Sequence, residues 1–211
     1  MATQTATPTA NITQRDLTVE QKLQKLRDLY ADAPELGKAA LKNGLSMLTK
    51  ELAAPSAAET AGRIGARQGK VSELTVFLPF VKGGAKRLRG LLQLLEGNFR
   101  AADAVGTVHD MRFVFVDNDT KLLFATAYDG DFDPYIDDFA AKIPNAMDLW
   151  LCNFEGFPGM RNPKAAADWI AKHQIAAEAW YVNSPNLAAA ETRKLERVGK
   201  AVDELLDKIG G

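Results

Sequence analysis

Cysteine is almost missing from this chain: Cys152 is the only one among 211 residues. A single thiol closes no internal disulfide and builds no cysteine-based metal cluster. In an apolar stretch it reads as a small hydrophobe rather than a nucleophile. Histidine is nearly as scarce, with only His109 and His173, too few for a structural zinc site. An excess of either charge is lacking too. The 26 basic and 27 acidic residues leave a net charge of −1, which argues against nucleic acid or an anionic membrane as a partner held by bulk charge. No apolar run approaches the roughly 18 residues of a membrane span. Met1 to Ala10 lacks the apolar core of a signal peptide, so the expected location is the cytoplasm. Walker, GxSxG and HExxH signatures are absent.

What is present is an ordinary globular composition, 46% hydrophobic and 25% charged, with length for one domain and appendages. Residues 1–16, rich in Thr and Ala, read as a disordered tail. Residues 17–70 read as a helical arm and its connector. Thr18 and Gln21 form a capping box at the start of a first helix, and Pro34 opens a second. The Gly-punctuated run 53–70 reads as the connector, with a short helix capped by Ser56 and Glu59.

From Val71 the periodicity changes to two. VSELTVFLPF predicts a strand, Ala85–Leu95 a helix, and Thr107–Gly130 a β-hairpin turning at Asp117-Asn118-Asp119-Thr120. Asp133-Pro134 opens another helix, Asn145–Phe154 reads as a fourth strand, and Glu178–Val182 as a fifth. The expected fold class is therefore α+β: a ferredoxin-like βαββαβ unit within 71–182, and a C-terminal helix within 183–211. In that helix Leu195, Val198, Val202, Leu205 and Ile209 repeat at 3-4-3-4 spacing, the seam of a coiled coil or of a helix lying on its own domain.

Both faces of the hairpin are largely apolar, so both should be covered. Helices cover one; a second copy's sheet would cover the other, giving a homodimer through the sheet. The alternation assigns His109, Met111, Phe113 and Phe115 to the helix side. It assigns Thr75, Phe77, Asp110, Arg112, Asp148 and Trp150 to the free side, with Thr126 and Tyr128 beside them. Aromatics around a few convergent polar groups make a small-molecule pocket. Arg112 would anchor an anionic group of the ligand. Asp110 or Asp148 would handle a proton. Phe77, Thr126, Tyr128 and Trp150 would shape the substrate site. The same charges also read as an ion-pair network at a dimer interface.

A ferredoxin-like unit with His109-Asp-Met-Arg112 on a strand, followed by Leu122–Phe139 (LLFATAYDGDFDPYIDDF), resembles the dimeric α+β barrel superfamily. That resemblance implies paired sheets enclosing a cavity and oxidoreductase activity on an apolar organic substrate, either cofactor-free or haem-dependent. The haem branch is echoed by Thr126-Ala-Tyr-Asp129-Gly130, which matches the Asp-Gly end of the GxxDG motif of dye-decolourising peroxidases but has Thr in the first Gly position. It would make His173, on a helix, or His109 the haem ligand. The other reading is a non-catalytic oligomeric interaction protein using its helical arm and C-terminal helix.

Overall fold

The hairpin expected at 107–130 organises the larger of two units. The structure, a computed structural model, describes residues 17–210 except 57 and 97. The tail expected over 1–16 lies outside the described residues. The chain divides at 57/58 into a smaller N-terminal unit and a larger unit running to the end.

The N-terminal unit is a helical hairpin, α1 (Val19–Leu29) and α2 (Glu35–Ala53). Thr18 caps α1 as its sequence predicts. Its side chain accepts from Gln21 N–H at 3.2 Å, while the Gln21 side chain accepts from Thr18 N–H at 2.8 Å. Leu23 is buried in α1, and nothing is buried in α2.

In the larger unit, residues expected as connector form two short strands, β1 (Ala58–Thr60) and β2 (Ala66–Gln68). Extended backbone replaces the predicted short helix because β2 finds a partner in the start of β3 (Val71–Pro79). Arg67 fastens this hairpin, pairing with Asp131 at 2.6 Å and Glu59 at 3.1 Å. Then follow α3 (Gly84–Leu95), α4 (Arg100–Val105), β4 (Val108–Val116), β5 (Lys121–Asp129), α5 (Phe132–Lys142), α6 (Pro144–Leu151), α7 (Pro163–Lys172) and α8 (Ala189–Gly210). The five strands make one antiparallel sheet in the order β1-β2-β3-β5-β4. The fold is α+β, as expected.

The β4–β5 link is the tight polar turn that its residues predict. Asp117, Asn118 and Asp119 all adopt positive φ, between 51° and 63°, which short Asx side chains tolerate. Arg89 of α3 clamps Asp119 through two hydrogen bonds, at 2.5 and 2.7 Å.

One face of the sheet carries Leu74, Val76 and Leu78 of β3, Met111, Phe113 and Phe115 of β4, and Leu122 and Phe124 of β5. These pack with Leu88, Tyr135, Ile136, Phe139, Leu151 and Ile170 from the helices. This is the core.

Two expected strands are corrected. Residues 144–151 are the helix α6, not a fourth strand. Pro144 sits at its first turn, where a missing N–H costs nothing, and one apolar side, with Trp150 and Leu151, goes inward. A short, mostly apolar segment such as PNAMDLWL fits a half-buried helix as well as a strand, so period alone could not separate them. Residues 178–182 are not a strand either. The segment from His173 onward does follow the free edge of β3, with Phe77 N–H donating to His173 O at 3.1 Å and Ile175 N–H to Thr75 O at 2.9 Å. Past Ile175 it leaves the ladder and is held by single bonds, Gln68 Nε2 to Trp180 O at 2.9 Å and Lys70 N–H to Pro185 O at 2.7 Å.

Candidate functional site

The register of three strands writes out the open face of the sheet row by row. Across β3, β5 and β4 the rows are Glu73–Ala127–Asp110, Thr75–Ala125–Arg112, Phe77–Leu123–Val114 and Pro79–Lys121–Val116. Glu73, Thr75, Asp110 and Arg112 gather at one end of the face; Phe77, Leu123 and Val114 make an apolar band beside them, and beyond it Lys121 pairs with Asp117 of the turn. Arg112 and Asp110 lie 3.4 Å apart, with side chains 66% and 53% exposed in the single chain. The sequence placed Thr75, Phe77, Asp110 and Arg112 on this face, and the structure brings them together there.

A β-bulge between Val108 and Asp110 corrects the predicted assignment of His109. The extra residue shifts the alternation by one. Val108 therefore joins the buried core beside Met111 and Phe113, while His109 turns away from them. Its Nε2 lies 2.7 Å from Asp129 Oδ1. The other oxygen of Asp129 accepts from Ala189 N–H, the first residue of α8, at 2.9 Å. One carboxylate thus joins the bulge, the end of β5 and the start of the last helix.

Four residues assigned to the pocket lie elsewhere. Thr126 and Tyr128 stand in the rows Leu74–Thr126–Met111 and Ser72–Tyr128–Val108, on the helix-covered face. Residues directly opposite in adjacent strands share a face, and the predicted alignment was off by one. Thr126 Oγ1 donates to Asp110 O at 2.8 Å and lies 3.2 Å from Tyr135 Oη. Trp150 is buried edge-on against Phe99 and Phe113, at ring-centroid distances of 5.7 and 5.6 Å. Asp148 is on α6, where Oδ1 accepts from Met160 N–H at 2.7 Å and so closes the 152–160 loop. With the fourth strand a helix, neither Asp148 nor Trp150 reaches the open face.

Tyr128 is 0% exposed, its ring stacked 3.9 Å from that of Tyr135. Burial holds both phenols well above their ordinary range. The Tyr128 hydroxyl has no hydrogen-bond partner among the described residues. An unpaired buried hydroxyl is a net cost. Tyr128→Phe is therefore expected to raise stability by about 1 kcal/mol in urea unfolding; a loss of stability would show that the hydroxyl is satisfied.

Glu73 is the site residue that sequence reading missed. It is 4% exposed. It accepts from Ala66 N–H and Thr75 Oγ1, both at 3.2 Å, and from Ala177 N–H. Burial raises its carboxyl above the ordinary range, and these three bonds oppose the shift. The only sequence signal is a lone acid inside the apolar strand VSELTVFLP.

Neither histidine is placed to hold haem within a single chain. His173 Nδ1 is 2.8 Å from Trp169 O, and its ring tilts against the Trp169 indole at 4.6 Å. The cavity between sheet and helices is apolar and about 50 Å³, and neither His173 nor His109 lines it. Nor does either line the open groove of about 480 Å³ at the hairpin end, bordered by Phe80, Lys82, Asp119 and Glu155. A cofactor of that size needs several hundred cubic ångströms of shaped cavity beside its ligand. Neither of these two cavities therefore offers a histidine to that group. Among the described residues no three His, Cys, Asp or Glu side chains are grouped to hold a metal ion. Cys152 is exposed. Among the described residues no helix is long and apolar enough to cross a membrane.

The fold and its open face thus define an α+β protein with a five-stranded antiparallel sheet, helices on one side and a mixed polar–apolar surface on the other. No family model matches this chain, and no curated protein or solved structure is significantly similar to it.

Proposed function

We propose that this chain is a small-molecule-binding protein of the dimeric α+β barrel kind. Two copies would pair through the open sheet faces and enclose an apolar organic molecule bearing an anionic group. The observation that carries this reading is the division of the face itself. An apolar half built on Phe77, Leu123 and Val114 adjoins a polar half built on Thr75, Arg112 and Asp110. Such a surface suits a ligand with an apolar body and a charged head. The strand order β3-β5-β4 also supports it, since three of the strands of a ferredoxin-like sheet would be arranged in this way. Chain segments rather than a fourth strand cover the remaining edge of β3, through bridges at Gln174 and Phe154. Arg112 would fork onto the anion. Oxidoreduction is the reaction class that accompanies the resemblance, and Asp110, beside Arg112, is the group on this face for a proton.

The test uses 1-anilinonaphthalene-8-sulfonate, an aromatic body with one anionic group, with light scattering for mass. The wild type should be at least dimeric and bind the probe. Leu123→Arg should lower the oligomeric state by placing a charge in the apolar half of the interface. Arg112→Ala should weaken probe binding by about tenfold or more, the equivalent of one charge-assisted hydrogen bond. Equal binding by wild type and Arg112→Ala, or an oligomeric state indifferent to Leu123→Arg, would overturn the reading.

A further inference from the structure

The core is not filled to its centre. Between the sheet and the helices lies a cavity of about 50 Å³, and its wall presents no polar surface. Leu74, Val76 and Leu78 of β3 form one side of it; Leu88 of α3 and Ile136 and Phe139 of α5 form another. Protein interiors are packed as densely as organic crystals, and voids larger than a water molecule are few. One water needs roughly 10–15 Å³ of such space, so volume alone does not keep this cavity dry.

The chemistry of its wall does. A buried water needs about two to four polar partners. The one hydroxyl-bearing residue in the wall is Tyr135, whose Oη is already engaged with Thr126 Oγ1 at 3.2 Å. A charged or hydrogen-bonding ligand would be left unpaired there for the same reason. A molecule without polar atoms loses nothing by leaving water and gains dispersion contacts on every side. Size narrows the class further. An apolar cavity of about 150 Å³ holds benzene, and roughly one third of that volume suits two to three heavy atoms or a single xenon atom.

The cavity also has a yielding side. Met111 of β4 and Met147 of α6 line it and are only partly buried. There a single side chain separates the cavity from solvent. Methionine is unbranched, with three rotatable bonds and a soft sulfur, so it can swing aside and repack around what enters.

We propose that this core cavity is a binding site for a small apolar molecule of about two to three heavy atoms, admitted past Met111 and Met147. It lies on the helix-covered side of the sheet, so it is separate from the open face that carries Arg112.

Xenon is the probe, read by the methyl resonances of full-length protein isotope-labelled at its methionines. Met111 and Met147 should shift together and saturate as xenon pressure rises. Met160, buried but not in the cavity wall, and the exposed Met47 are internal controls that should show no saturable shift. Cyclopropane should shift the same two methyls and compete with xenon; cyclohexane, too large for the space, should shift neither. Val76→Phe on the sheet side and Leu88→Phe on the helix side each place a ring in the space. Whichever of them keeps a cooperative urea transition should lose the saturable shift, and if neither does, the wild-type titration decides. Arg112→Ala should keep the shift, which separates failure of this site from failure of the open face. Linear shifts of equal size at all four methionines, a saturable shift that survives in a folded filled variant, or an equal response to cyclohexane and cyclopropane would each overturn the proposal.

Discussion

Replacing Trp150 with alanine is expected to destabilise the larger unit by about 3–5 kcal/mol, the usual cost of emptying a large aromatic site. The indole is buried at the inner end of α6 and meets Phe99 and Phe113 edge to face, with interplanar angles of 83° and 85°. Such pairs add to the area they bury, because the edge of one ring is attracted to the face of the other. It also borders the core cavity of about 50 Å³, so its removal enlarges a void that is already present. The loss is comparable to the whole stability of a small domain. Urea or thermal unfolding of Trp150→Ala measures it. Trp150→Phe should retain part of the contact and lose less. A variant with near-native stability but impaired binding of small molecules would instead return Trp150 to the binding surface.

The second large effect is expected at Glu73. Its carboxylate is the common acceptor for β2, for Thr75 of its own strand and for the segment at Ala177. Glu73→Ala should cost about 2–4 kcal/mol, because buried N–H groups on two elements lose their partner together. Glu73→Gln should cost less, since an amide oxygen still accepts. The pH dependence follows from the direction of the shift. Burial raises the folded-state value above the ordinary 4.5. The folded state therefore holds this proton more tightly than the unfolded chain does. The resulting stability is fully present below the ordinary carboxyl range and is lost as pH rises through the raised folded value. Asp119 and Glu191 run the other way: Arg89 and Lys70 respectively hold them below their ordinary range, so their contributions fade as pH falls. Subtracting the Glu73→Gln curve from the wild-type curve removes these shared terms. That difference should decline from acid to neutral pH, and a flat difference would show that burial does not perturb the carboxyl.

Much of the local structure was written in short spacings. The Thr18–Gln21 capping box, the 117–120 turn, strands β3 to β5 and helix α8 each follow from patterns spanning one element. The open face was partly legible for the same reason. Thr75 and Phe77 alternate within one strand, and Asp110 and Arg112 within another, so each pair shares a side wherever the strand lies. Readings failed where the deciding contact was distant. A bulge at His109 broke the alternation and moved Val108 into the core. A one-residue difference in cross-strand alignment moved Thr126 and Tyr128 beneath the helices. Residues 144–151 coiled into a helix, carrying Asp148 and Trp150 away from the sheet.

By itself the sequence determined the α+β class, the central hairpin, and an arginine and an aspartate side by side on one strand. Those properties depend on neighbours one to four residues apart. Only the tertiary structure decided that Glu73 is buried and that Val108, Thr126 and Tyr128 lie beneath the helices. Burial and register are set by segments dozens of residues away, and no local period carries that information.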